Sequence, residues 1–275
     1  MTAAAGPLRG KAIPLQGSLR SAYAAYEHQW LLYLRTWRGS IFGSFAQPIL
    51  FLVAMGIGLG GFVDASGSGA IDVPYIQFLA PALLVSTVMQ GSTFEATFPV
   101  LGGFRWNRRY HAMYATPLSP YAIAFGQIAW IATRATIVAT IFCGVIIAFG
   151  AAGSPGIIWT IPVGTLTALA FAGPIAAYMT TQRDTTAFNA IWRFGITPLF
   201  LFSGTFFPIE SLPEQVRWIA WLLPLWHGVD LARALSLGTV GDAPLVQIAH
   251  VLILAGCAIA GVIAMFLMYR RQLEQ

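Results

Sequence analysis

The sequence predicts an all-α polytopic membrane protein with six transmembrane helices, and three observations lead to that fold class. First, 57% of the 275 residues are hydrophobic and 9% are charged, whereas about a quarter of a soluble domain is charged. Second, six apolar stretches reach the roughly 20 residues that a membrane helix needs. Third, the charges sort to alternate sides of these stretches. The predicted spans are about 41–63, 76–101, 121–149, 156–181, 189–208 and 245–268.

The charge distribution orients the predicted spans. Loops on the cytoplasmic side of a membrane protein are rich in Arg and Lys, so both termini are expected in the cytoplasm. The basic residues expected on that side are Arg9, Lys11, Arg20, Arg35, Arg38, Arg105, Arg108, Arg109, Arg183, Arg193, Arg270 and Arg271. The residues expected on the opposite side are Asp64, Asp72, Glu210, Glu214, Asp230 and Asp242, with Arg217 and Arg233.

The amino-terminal part is predicted to lie on the cytoplasmic side, before the spans. Residues 1–18 are expected to form a flexible terminus, residues 19–38 an amphipathic helix along the membrane surface, and 39–275 the six-span domain. At about 100° per residue, residues 19–38 have one aromatic face and one basic face. The aromatic face consists of Leu19, Tyr23, Tyr26, Trp30, Tyr33, Leu34 and Trp37. This helix is either an anchor or a lever that carries force into the first span.

A second amphipathic segment, at about 104–114, follows the second predicted span. As a single helix it places four large side chains on one face, and these are Trp106, Tyr110, Met113 and Tyr114. Its other face carries Arg105, Arg108 and His111, and the prolines at 117 and 120 end the element before the third span. The pattern fits a solvated basic loop, and it also fits a docking surface for a soluble partner.

Two charged residues lie inside predicted spans. Glu95 is in the second span and Arg134 in the third, and adjacent antiparallel helices bring them to a similar depth. Each charge alone costs about 2.5–3.5 kcal/mol near the centre of a membrane helix. We therefore expect the two to form a structural ion pair with polar neighbours from Gln90, Thr97 and Gln127. The alternative is that the pair lies on a substrate route.

The external stretch 210–238 is predicted to contain two short helices that dip into the outer leaflet as a structural cap. Asp230 and Arg233 are three residues apart and are expected to pair on one helix face. His227 with Asp230 supplies too few ligands for a metal site.

Several motifs of catalysis are missing from the sequence. It contains no G-x-x-x-x-G-K-[ST] nucleotide-binding loop, and Lys11 is its only lysine. It also lacks H-E-x-x-H, G-x-S-x-G and Cys-rich zinc patterns. Cys143 and Cys257 lie within apolar runs and are expected to be packing residues. The chain is therefore expected not to be an enzyme and to bind no cofactor of its own.

The order of elements and several local motifs resemble the permease subunits of type-two ABC exporters, from about residue 20 to the end. The motifs are "PILFLVAMGIGLGGFV", "ATPLSP" and "LFSGTFFPIESLPEQVRWIAWLLPLWHGVDLARALSLG". Three segments resemble the NodJ-type permeases in particular, which export lipo-oligosaccharide signals with a separate ATPase. These segments are "YIQFLAPALLVSTVMQGSTFEATF", "AWIATRATI" and "PLWHGVDLAR".

The resemblance implies a function and a set of partners. It implies alternating-access export of an amphipathic lipid-linked or oligosaccharide-type substrate across the bacterial cytoplasmic membrane, with drug or antibiotic efflux as the alternative. Two copies of an ATPase subunit would bind ATP and Mg, and a second permease copy would complete a dimer, a homodimer rather than a heterodimer. Nucleic acid is not an expected partner. The residues that the resemblance places against the ATPase are Arg105, Trp106, Arg108, Arg109, Tyr110 and Tyr114.

Two other classes fit the sequence less well. A secondary transporter or channel predicts inverted repeats and charged residues along a pathway, and neither is visible. A membrane enzyme would need several polar catalytic groups at one depth, and the four histidines are scattered.

Overall fold

The structure is a computed structural model that describes the backbone of residues 15–66, 73–211 and 213–275, without the side chains of 15–18 and some side chains between 37 and 66 and in 216–220. Most of the predicted terminus 1–18 lies outside this part of the chain. The described residues are mainly helical and contain no strand, so the all-α prediction is confirmed for them. The α-helices are α1 Leu15–Phe51, α2 Gly60–Ser66, α3 Tyr75–Arg105, α4 Arg109–Tyr114, α5 Pro120–Ala148, α6 Thr160–Thr181, α7 Thr186–Ala190, α8 Thr197–Phe202, α9 Glu214–Leu222, α10 Pro224–Leu237 and α11 Pro244–Leu273.

Three helical stretches are long and apolar enough to cross a membrane, by length and composition. They are Pro120–Ala148, Pro155–Thr181 and Pro244–Leu273, and they contain the third, fourth and sixth predicted spans. The second predicted span lies within α3. The fifth is shorter than predicted, because α8 ends at Phe202 and the chain then leaves the helical conformation.

The first predicted span and the interface helix form one continuous helical rod. Helix α1 passes directly into a π-helical segment, Leu52–Leu59, and then into α2. The boundary predicted between residues 38 and 39 is not marked by an interruption of the helix. A lone glycine such as Gly39 costs a helix only about 1 kcal/mol, which is too little to end it.

The amino-terminal half of α1 packs on α5 through its small residues, not through the predicted aromatic face as a whole. Ala22 and Ala25 are buried, whereas Tyr23 is 64% exposed. A Cβ atom added to Gly126 of α5 would lie 2.6 Å from the Cβ atom of Ala25. The two helices therefore touch backbone to backbone.

Helix α6 is the centre of the bundle, with α3, α5, α10 and α11 packed around it. Its closest crossing is with α11. A Cβ atom on Gly173 would lie 2.5 Å from the carbonyl carbon of Gly261, and one on Gly261 would lie 2.3 Å from Cδ of Pro174. Small residues at such a crossing let membrane helices approach closely.

The stretch that was predicted to be external forms two helices, of which α10 is embedded in the bundle. Leu225 and Val229 of α10 are fully buried. A Cβ atom on Gly228 would lie 2.3 Å from Oγ1 of Thr167 in α6. Helix α10 thus packs against α3 and α6 and continues through a 3-10 turn, Thr239–Asp242, into α11.

Candidate functional site

The segment expected to dock a partner is not one helix. Helix α3 continues through Arg105, the chain turns over residues 106–108, and α4 begins at Arg109. Arg108 has a left-handed backbone conformation with φ 47°, which is uncommon outside glycine. Because the helix axis changes at this turn, the side chains of 104–114 do not divide into the two faces that a single helix would give.

Arg105 points into the protein at the end of α6. Its Nε atom donates to the carbonyl oxygen of Gln182 at 2.8 Å, and an Nη atom donates to that of Thr180 at 3.2 Å. Cations favour helix C-termini, where carbonyl groups lack intrahelical partners. Arg105 therefore ties α3 to α6.

Tyr110 is buried, with 1% of its surface exposed. Its ring packs 4.8 Å from the ring of Phe104 and 5.2 Å from that of Tyr269 in α11, measured between centroids. Gly103 makes this possible, because a Cβ atom there would lie 2.3 Å from the Tyr110 ring. The expectation that Tyr110 contributes surface to a docking face does not fit this position.

A buried polar network joins α4 to α1 and α5. The Tyr110 hydroxyl donates to Oε1 of Gln127 at 3.0 Å, and Arg109 donates to that hydroxyl at 2.9 Å and to Oε1 of Gln29 at 3.1 Å. Gln29 also donates to Oε1 of Gln127. Buried polar groups need such partners, and this network fixes the position of α4 relative to the amino-terminal helix. We name these four residues the junction network.

Trp106, Arg108 and Tyr114 are the exposed residues among those expected to contact the ATPase. Trp106 is 51% exposed and packs its ring edge against Phe98 at 4.9 Å between centroids, and Tyr114 is 39% exposed. His111 is also exposed. Burial, together with Arg108 and Arg105, holds the pKa of His111 below its ordinary value of 6.5, so this face owes its positive charge to arginine.

The structure brings the two intramembrane charges together. Arg134 of α5 donates to Oε1 of Glu95 in α3, and the side chains are 28% and 11% exposed. The second carboxylate oxygen lies 3.4 Å from the indole Nε1 of Trp130. Two of the three polar neighbours expected from the sequence have other partners: Thr97 donates to backbone carbonyls of its own helix, and Gln127 belongs to the junction network.

Aromatic residues of α1 pack against Trp130, the residue beside the Glu95 carboxylate. Trp30 and Tyr33 pack against Trp130, with centroids 6.3 Å and 5.2 Å away. The Thr133 hydroxyl donates to the hydroxyl of Tyr26 at 3.2 Å. The aromatic residues that suggested a lipid-facing surface are thus partly used as contacts between α1 and α5.

Asp230 and Arg233, in the stretch predicted to be external, do not make the contact that the sequence predicted. Arg233 does not pair with Asp230. It donates to the carbonyl oxygens of Gly204 at 2.8 Å and Phe78 at 3.3 Å, and its guanidinium lies 3.6 Å from the centroid of the Phe78 ring. Asp230 instead accepts from Nε2 of His250 at 3.1 Å.

His227 contacts the other nitrogen of the His250 ring. The Nδ1 atoms of the two rings are 2.7 Å apart, and Nε2 of His227 lies 2.9 Å from the carbonyl oxygen of Trp221. Within the described residues, no group of three or more His, Cys, Asp and Glu side chains converges as a metal site would require.

Sequence reasoning missed four residues that complete these sites: Gln29, Trp130, Tyr269 and His250. Each lies in a helix distant in sequence from the residues it contacts. The available signal was a polar or amphipathic side chain in an otherwise apolar segment, which identifies a residue in need of a partner without identifying that partner.

The long apolar helices of the described residues indicate a helical membrane protein. Residues 21–237 match the ABC-2 type transporter family. The chain therefore belongs to the ABC-2 transporter family, as its sequence motifs indicated.

The chain is also similar to nodulation protein J from several rhizobia. The protein of Rhizobium leguminosarum bv. viciae is 32% identical over 218 residues, which cover 78% of this chain and 82% of the relative. That of Rhizobium meliloti (strain 1021) is 30% identical over 227 residues, or 82% and 83%. That of Bradyrhizobium diazoefficiens is 27% identical over 251 residues, or 91% and 93%. These matches confirm the resemblance to NodJ-type permeases.

Proposed function

We propose that this chain is the membrane-spanning permease subunit of an ATP-driven exporter and that a separate ATPase subunit supplies the energy. Membership of the ABC-2 transporter family is the observation that carries the proposal. The sequence has no phosphate-binding loop, so ATP and Mg would bind to the partner. Two permease copies, as a homodimer, would work with two ATPase copies.

We propose further that six spans cross the bacterial cytoplasmic membrane with both termini inside. The sorting of arginine to one side supports this topology. In a variant with Cys257→Ala, which leaves only the buried Cys143, Gly241→Cys should react with an impermeant maleimide in intact cells. Arg183→Cys should react only after the cells are opened. Both replaced residues are exposed, and labelling in the reverse order would contradict the topology.

The substrate that we propose is an amphipathic lipid-linked or oligosaccharide-type molecule. Similarity to nodulation protein J over most of the chain supports this class. The test is whether a lipo-oligosaccharide increases the ATPase activity of the reconstituted complex and is moved across vesicles. Stimulation and transport of hydrophobic drugs, with no response to the lipo-oligosaccharide, would assign the chain to drug efflux instead.

The proposed contact with the ATPase is the surface of Trp106, Arg108 and Tyr114. Helix α4 beside this surface is fixed to α1 and α5 by the junction network and to α11 by the contact of Tyr110 with Tyr269. A push on α4 would therefore reach three long helices at once. Arg109 and Tyr110 act in this proposal as internal supports, and Arg105 ties the segment to α6.

Co-purification of the ATPase tests this assignment. The double variant Trp106→Ala, Tyr114→Ala should insert in the membrane yet lose the ATPase and lose transport. Trp218→Ala is a matched control, because Trp218 is 58% exposed on the predicted external side. It should keep both. If the double variant retains the ATPase and transports normally, this surface is only a solvated turn.

A further inference from the structure

A chain of three hydrogen bonds links the external helix α10 to α11. It runs from the carbonyl oxygen of Trp221 to Nε2 of His227 at 2.9 Å, from Nδ1 of His227 to Nδ1 of His250 at 2.7 Å, and from Nε2 of His250 to Asp230 at 3.1 Å. His227 is 6% exposed and His250 is 3% exposed. The two rings are therefore shielded from water, and their nitrogens depend on these partners.

The number of protons on the two rings follows from the groups at the ends of this chain. A carbonyl oxygen and a carboxylate can only accept a hydrogen bond, so the Nε2 atom at each end must carry a proton. The contact between the two Nδ1 atoms needs one further proton. Two neutral imidazoles carry two protons in total, whereas the three hydrogen bonds need three.

We infer that His227 and His250 together form a proton-binding site, which holds one extra proton between their Nδ1 atoms and one positive charge beside Asp230. The separation of 2.7 Å suits a hydrogen bond between nitrogens. It is too short for a metal ion, since two Zn–N bonds of about 2.0–2.1 Å at a tetrahedral angle separate the nitrogens by more than 3 Å.

The surroundings of the pair contain one acidic group within hydrogen-bond distance, Asp230. Burial and the neighbouring His250 lower the pKa of His227 below 6.5, and the Trp221 carbonyl and Asp230 act in the opposite direction. Asp230 accepts a hydrogen bond from His250, so the positive charge of the pair lies beside a carboxylate. Trp226 covers both rings, with centroids 4.9 Å and 5.1 Å away.

Other charged and titratable groups lie on the elements packed around α10. Arg233 of α10 itself is held by the carbonyls of Phe78 and Gly204. Helix α6 contributes no charged side chain, and its tyrosine is near its cytoplasmic end. The remaining groups of neighbouring elements are Tyr75, Glu95 and Arg105 of α3, Glu214 and Arg217 of α9, Asp242 of the 3-10 turn, and Cys257, Tyr269, Arg270 and Arg271 of α11.

The site makes the contact between α10 and α11 dependent on pH in both directions. Below about pH 6.5 both histidines of the unfolded chain bind an extra proton, while the folded pair binds only one, because a second would set two N–H groups against each other. The folded state then loses stability as pH falls. Above about pH 6.5 the unfolded histidines are neutral while the folded pair still holds its proton, so stability falls as pH rises.

Thermal unfolding of the purified full chain in lipid nanodiscs, between about pH 5 and pH 9, tests the site without any transport assay. The wild type should be most stable near neutral pH and should lose about 2–4 °C in Tm toward each end, equivalent to one hydrogen bond. His227→Asn and His250→Asn should each reduce the loss of Tm at both ends of the pH range. The double variant His28→Asn, His111→Asn should keep the loss of Tm above neutral pH, because neither residue touches the pair. It should remove only that part of the loss below neutral pH that comes from the lowered pKa of His28 and His111.

Direct proton counting provides the second measurement. In ¹⁵N-histidine spectra at neutral pH, the resonances lost in His227→Asn and His250→Asn should together report three protonated nitrogens out of four. Two protonated nitrogens, or a flat wild-type profile, would overturn the inference. So would an increase in Tm on adding Zn²⁺ to the wild type but not to His250→Asn, which would make the pair a metal site.

Discussion

Replacing both members of the Glu95–Arg134 ion pair should be much less harmful than replacing either one. Glu95→Gln leaves Arg134 as an uncompensated charge between α3 and α5, and Arg134→Gln leaves the carboxylate with the indole of Trp130 as its remaining partner. The double variant carries no charge, and its two amides can hydrogen-bond to each other. The native pair is therefore expected to behave as a unit.

The magnitude follows from burial. Removing one partner of a buried ion pair costs about 3–5 kcal/mol of unfolding free energy. Because Arg134 is 28% exposed and Glu95 is 11% exposed, we expect the lower end, about 3 kcal/mol, for each single variant. The double variant should lose about 2 kcal/mol, since neutral hydrogen bonds replace charged ones. The coupling is then about 4 kcal/mol.

The assay is thermal unfolding of the four purified proteins in nanodiscs. Each single variant should lower Tm by about 6 °C or more, at roughly 2–4 °C per kcal/mol. The Arg270–Glu274 pair is the matched control, with side chains 52% and 45% exposed. Its coupling should stay below about 1 kcal/mol. A Glu95–Arg134 coupling as small as the control value would refute the reasoning, and a stable double variant without transport would instead place the pair on the substrate route.

Three further outcomes are expected from substitutions around the junction. Tyr110→Phe removes a hydroxyl that accepts from an arginine and donates to a glutamine, so it should cost about 2–3 kcal/mol of unfolding free energy. The exposed Tyr114→Phe should change stability by less than about 0.5 kcal/mol. Equal Tm values for the two variants would contradict the burial argument. Gly126→Ala should separate α1 from α5 and lower stability by about 1–3 kcal/mol. Gly144→Ala on the same helix, where the added methyl group meets open space, should be neutral or stabilising. If Gly126→Ala is also neutral, the two helices do not touch. Arg108→Gln should reduce ATPase co-purification less than the aromatic double variant does, because exposed ion pairs are weak, and the opposite ranking would show that charge dominates docking.

Helix positions and the ion pair were accessible from the sequence because both follow from one-dimensional information. Apolar runs of membrane length leave few alternatives to a helix. Glu95 and Arg134 are isolated charges at matching depths, and lipid offers them no other partner. The sequence did not predict that the interface helix and the first predicted span form one continuous helical rod, since the local signals near Gly39 were compatible with a break or with continuation.

The orientation of helix faces was the main limit. The periodicity of 104–114 grouped Tyr110 with Trp106, but it could not tell which side chain would meet Tyr269 from the far end of the chain. Spacing within α10 likewise favoured a bond from Arg233 to Asp230. The carbonyl oxygens of Phe78 and Gly204 compete for the same guanidinium, and backbone acceptors leave no trace in the identity of side chains.

The crossing of α6 and α11 constrains how this molecule can change shape. At Gly173 and Gly261 the two helices meet through main-chain atoms and the ring of Pro174, so axial sliding or rolling of one helix would drive these atoms into each other. Close-packed interiors resist such motion. These two helices form a rigid unit. Any rearrangement during a transport cycle has to occur in the helices around them, where side chains can change rotamer as contacts shift.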